Sequence, residues 1–143
     1  MVDITHHFPI AAPIDKVFRA ISSPGGLDQW WSRSSSGEPA EGAEYELDFG
    51  PGYTWRAQVT RCVENETFEL TLTDAHEDWL GSKVRIDLAA QDESTRVRFR
   101  HSGWPSANDH YYTSCYCWAM YLRILKRFVE HGETVPYETR LDV

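Results

Sequence analysis

Five consecutive segments alternate apolar and polar residues, and one long stripe at helical spacing follows them. In Ala43–Gly50, Tyr45, Leu47 and Phe49 fall on one face and Glu44, Glu46 and Asp48 on the other. Pro51–Cys62 continues with Tyr53, Trp55, Ala57 and Val59 against Thr54, Arg56, Gln58 and Thr60. Three more runs place Phe68, Leu70 and Leu72, then Val84, Ile86 and Leu88, then Val97, Phe99 and His101 inward. Period-two alternation defines strands with one covered and one wet face. The short polar connections Glu64–Glu66 and Gln91–Glu93 favour antiparallel neighbours.

What covers the apolar face is written near the C-terminus. Tyr111, Cys115, Trp118, Leu122, Leu125 and Val129 recur every three or four residues. That spacing predicts one amphipathic helix. Ser106 with Asp109 reads as its capping box, and Gly132 after Lys126, Arg127 and His131 reads as its stop. Ahead of the strands, Ile4–Ile10 reads as a first strand with Ile4, His6 and Phe8 on one face. Pro13 and then Ser23-Pro24 open two short helices. The segment from Ser32 to Gly42 reads as a polar loop, and the tail from Pro136 as short and loose at its end.

The 143 residues fit a single domain, 1–143, with a bulky core supplied by six Trp, seven Tyr and six Phe. A net charge of −8 argues against nucleic acid as a partner. No apolar run is long enough to insert into a membrane. An odd number of cysteines and the lack of a leader pattern predict a cytoplasmic protein. On a helix, Cys115 and Cys117 point about 200° apart, so they neither chelate one ion nor form a disulfide.

Few polar residues stand out. His101 shares the inward face of Val97 and Phe99, where it would orient a ligand group or act as a general base. His6 and His7 point to opposite faces. Asp74, His76, Glu77 and Asp78 form an acidic connection that could attract a cation but reads first as solvated loop charge, and Asp109-His110 read as cap and dipole partners. There is no HExxH or paired CxxC, so no metal is assigned, and no nucleophile elbow or phosphate loop that would imply a cofactor. Arg96, Arg98 and Arg100 form a solvent-facing row expected to pair with Glu44, Glu46 and Asp87.

The element order resembles the α+β helix-grip fold of the START-like (SRPBCC) superfamily. Ala12–Trp31, "APIDKVFRAISSPGGLDQWW", resembles the opening of proteins similar to the C-terminal domain of the activator of the heat-shock-protein-90 ATPase. Val97–Pro105, "VRFRHSGWP", resembles their last strand, and Cys117–Tyr137 their closing helix, with Cys117 where glycine is common. The resemblance implies a curved antiparallel sheet around the C-terminal helix, with a cavity between them for a small apolar or amphipathic molecule. Tyr45, Leu47, Phe49, Trp55, Phe68, Leu70, Phe99 and His101 would line it from the strands. Tyr111, Cys115, Trp118 and Leu122 would line it from the helix, with Trp30, Trp31 or Trp104 near its mouth. Two other roles are compatible with the resemblance. One is a chaperone-binding or homodimeric interaction domain; the other is a cyclase- or hydrolase-type enzyme in which His101 and tyrosines move protons.

Overall fold

The computed structural model describes residues 1–143. Its strands are β1 (Val2–Ile10), β2 (Ser34–Ser36), β3 (Glu44–Asp48), β4 (Thr54–Val63), β5 (Thr67–Asp74), β6 (Lys83–Gln91) and β7 (Ser94–Trp104). They form one antiparallel sheet in the order β1-β7-β6-β5-β4-β3-β2. The sheet is curved and unclosed, with β1 and β2 at its edges. Helices α1 (Ile14–Ser22) and α2 (Pro24–Leu27) follow β1, and α3 (Asp109–His131) closes the covered face. A 3-10 turn, η1, spans Tyr137–Asp142.

The strands form where alternation puts them, and the alternation sets which face meets the helix. Along β7, Thr95, Val97, Phe99 and His101 are buried while Arg96, Arg98 and Arg100 are exposed. Phe99 sits opposite His6 on β1 and Ile86 on β6, so all three side chains share the helix-facing side. Ser23 caps α2 by accepting from the Gly26 amide at 3.0 Å. Gly26 is required there, since a Cβ would come within 2.6 Å of the carbonyl oxygens of Arg19 and Ala20. Gly132 ends α3 in the left-handed region, with φ +67.

Four local expectations need correction. The cap of α3 is Asn108, which accepts from the Tyr111 amide at 2.9 Å, rather than Ser106. Ser34–Ser36 is a strand paired with Glu46–Asp48, although serines carry no alternation to announce it. The arginine row does not meet the predicted acids. Arg100 pairs with Asp3, while Glu44 and Glu46 pair with Arg56, and Asp87 with Arg85. The tail is not loose: Arg140, 4% exposed, donates to the carbonyls of Asp28, Trp31 and Ser32. A guanidinium carries donors enough to satisfy several carbonyls at once. It thereby ties the C-terminus to the end of α2.

Between sheet and helix lies a column of rings. Trp31 stands 5.2 Å from Trp118 and 5.3 Å from Phe49, centroid to centroid, and Trp118 stands 4.5 Å from Phe99. Trp30 stacks on Trp31 and donates its indole N–H to the Ala20 carbonyl at 2.9 Å. Trp30 and Trp31 are 1% and 2% exposed, so they are core rather than a rim. The void left against Ile21, Leu27, Trp30, Trp31, Phe68, Leu70, Val84 and Ile86 is about 10 Å³. That holds about one water. The space between the sheet and α1–α2 is therefore filled, and the ring column of Trp31, Trp118 and Phe99 occupies the space in front of α3.

Candidate functional site

The inward residues named from the sequence come together, but as packing. Tyr45 is fully buried, donates its hydroxyl to the Ser22 carbonyl at 2.6 Å and meets the edge of Phe68. Burial, with the nearby Cys62 and Glu38 adding to it, pushes its phenol well above the usual tyrosine range. Leu47, Leu70, Phe99 and Trp118 are buried as well. Trp55 and Phe49 are half-buried near the β2 edge. Tyr111 donates to the Asp3 carbonyl at 2.7 Å, and Cys115 is half-buried beside the core. Leu122 alone of the twelve lines an open groove of substantial volume.

His101 lies at the centre of a closed polar chain. The Trp118 indole N–H donates to His101 Nδ1 at 3.1 Å. An indole only donates, so Nδ1 holds the lone pair and Nε2 the proton. Nε2 donates to Ser82 Oγ at 2.8 Å, and Ser82 donates to the Trp79 carbonyl at 2.5 Å. Rings of Trp79, Trp104 and Trp118 stand around the imidazole at 5.0–5.8 Å. Burial pushes the His101 pKa down to about 3. Both nitrogens are engaged and the ring resists protonation, so the expected general-base role has no free lone pair to act with.

One accessible concavity lies at the β1 edge. His6, His7, Phe8 and Pro9 from β1 and Ala119, Leu122, Arg123 and Lys126 from α3 bound a groove of about 340 Å³. His6 faces inward by its register with Phe99, and its ring lies 6.2 Å from that phenylalanine. Its Nε2 is buried and has no hydrogen-bond partner. Lys126 is occupied by Glu130 and the Pro9 carbonyl, at 2.6 and 2.7 Å, whereas Arg123 is exposed at the rim. A depression of about 460 Å³ between α1–α2 and the end of α3 is larger. Its Ser23 hydroxyl is already bonded to Arg19 and Gly26, so it offers less unmet polarity. Strand alternation points His6 inward but carries no sign that its nitrogen stays unpartnered.

A second polar cluster joins His110 of α3 to the acidic connection that carries His76 and Asp78. His110, the second residue of α3, places Nδ1 2.8 Å from Asp78 Oδ2, and His76 Nδ1 lies 3.8 Å from the same oxygen. The hydrogen bond from His110 holds the Asp78 carboxyl below the usual range.

The Colwellia psychrerythraea Aha1 dimer, a solution structure, superposes with a TM-score of 0.84 at 29% identity, over 93% of this chain and 99% of that one. A Mesorhizobium loti protein matches with a TM-score of 0.82 at 22% identity, over 92% and 99% of the two chains. CalU16 from Micromonospora echinospora matches with a TM-score of 0.74 at 19% identity, over 98% and 83%. The last two establish fold similarity only. No curated protein matches the chain. Residues 11–130 match the model of the family described as "Activator of Hsp90 ATPase homolog 1-like protein", and the chain belongs to that family.

Proposed function

We propose that the protein binds a small amphipathic anion in the groove between β1 and α3. Phe8, Pro9, Ala119 and Leu122 supply an apolar wall, and Arg123 an unpaired cation at the rim. The observation that carries the reading is the buried, unpartnered Nε2 of His6 in that wall. A buried polar atom without a partner costs roughly 1–3 kcal/mol, which a ligand oxygen would recover once the imidazole turns toward the groove. A volume of about 340 Å³ suits a small ligand. Leu122 lies on the inner wall, where a longer apolar tail would meet it beside His6.

Thermal melts against fatty acids, aromatic carboxylates and their uncharged amides test this. A fitting acid raises Tm by mass action while its amide does so less. Arg123→Glu weakens that acid about tenfold or more, as expected for a lost charge-assisted bond. Equal affinity in wild type and Arg123→Glu would remove the groove from consideration. Native mass spectrometry of freshly purified protein would identify a retained molecule.

A second reading is association through α3. Tyr112 and Tyr116, one turn apart, are 62% and 77% exposed. The related Colwellia protein is described as a dimer. A homodimer using this face would dissociate in Tyr116→Lys, read as a fall to monomer mass in light scattering; unchanged mass would exclude the face. The family description also supports a chaperone as partner, which a pull-down against an Hsp90-class ATPase distinguishes from self-association.

A further inference from the structure

The connection between β5 and β6 carries His76 and Asp78, and α3 carries His110, 32 positions beyond Asp78. One donor atom from each lies within 4.8 Å of the others. Asp78 Oδ2 stands 2.8 Å from Nδ1 of His110 and 3.8 Å from Nδ1 of His76. Donors about 2.1 Å from a tetrahedral zinc stand about 3.4 Å apart, so the two spacings bracket what an ion needs.

The surroundings favour a fixed site over a loose surface contact. His110 lies parallel to Trp79, with 6° between the rings, and edge-on to Trp104 at 5.0 Å. Asn108 Nδ2 lies 3.3 Å from Asp78 Oδ2 and holds the carboxylate from outside. The Asp78 side chain is 15% exposed, while His76 is 49% exposed and leaves a path for entry.

We propose that His76, Asp78 and His110 bind a divalent transition ion of the zinc class, with a fourth position open to water. Two imidazoles and one carboxylate suit zinc and its neighbours, whereas calcium and magnesium take oxygen ligands. On binding, the ion replaces the proton shared by His110 and Asp78. It also takes the His76 lone pair from the Asp78 amide, which donates to it at 3.1 Å. The bound ion staples the β5–β6 connection to the start of α3. His110 and Ala119, the first groove residue on α3, are 9 positions apart, which puts the site roughly 13 Å along the helix from the β1 groove. The two sites therefore share no lining residue.

The test uses full-length protein without a polyhistidine tag. Zinc chloride is titrated by calorimetry, and cobalt(II) is followed by its visible absorption. The expected result is one zinc per chain, a tetrahedral cobalt spectrum and a Tm several degrees higher with metal. His76→Gln and Asp78→Asn each weaken zinc by more than the about tenfold cost of losing an outer partner. His76→Gln changes an exposed residue, so it decides the matter even if Asp78→Asn folds poorly. Zinc affinity unchanged in His76→Gln, or abolished instead by His7→Gln, overturns the proposal, as does no binding at all.

Discussion

Trp118→Ala is expected to lower the unfolding free energy by about 3–5 kcal/mol, the range for truncating a buried aromatic side chain. Domains are typically stable by only 5–15 kcal/mol, so this is a large fraction of the whole. The corresponding fall in Tm is roughly 10–15 °C. Two losses combine in this substitution. The indole is 2% exposed and touches Trp31, Phe99 and Trp79, so its removal opens a void in the ring column. Its N–H also leaves His101 Nδ1 buried without a donor. Trp118→Phe separates the terms. It retains much of the ring volume and loses the donor, so a cost of about 1–3 kcal/mol is expected for the orphaned nitrogen. Chemical unfolding of the three proteins gives both numbers. A Trp118→Ala loss under about 1 kcal/mol would mean that the column is not what fills the interior. A small loss together with bound apolar dye would instead restore the chamber.

The filling of that interior is the point at which the sequence stopped being informative. Alternation told which side of each strand faces the helix, as the buried set Val97, Phe99 and His101 bears out. It contains nothing about how far apart the two layers stand. Whether Trp31 and Trp118 line a space or occupy it depends on rotamers and on the curvature of the sheet. Neither leaves a periodic signature. The other surprises share a cause. Ser34–Ser36 becomes a strand through register with β3, and Arg140 is buried because the carbonyls of Asp28, Trp31 and Ser32 converge on it. Both are settled by partners distant in sequence. The same holds for His110 and Asp78, each given a local role by its neighbours. By contrast, the caps at Ser23 and Gly132 and the stripe on α3 are short-range features and were readable.

His101 gives the second large effect, a pH dependence whose sign follows from its burial. Folded, its pKa is about 3; unfolded, it returns to about 6.5. Above pH 6.5 the ring is neutral in both states, and it contributes no slope. Below 6.5 the unfolded chain takes up a proton that the folded chain refuses. Stability is thus present above the unfolded value and lost as pH falls toward the folded one, by about 1.4 kcal/mol per unit. Between pH 6.5 and 5 the expected loss is about 2 kcal/mol. This interval lies above the range in which the depressed carboxyls of Asp3, Asp78 and Asp87 lose their contribution. Desolvation is the leading cause, and nearby His110 adds to it while Asp3 opposes it. His101→Gln removes the titrating group, with a neutral amide in place of the ring. Urea unfolding of both proteins across pH 5–7 should show the wild-type slope flattened by about one proton in the variant. Equal slopes would mean that the folded protein protonates His101 readily. The chain from Trp118 through His101 and Ser82 to the Trp79 carbonyl would then not be closed in solution.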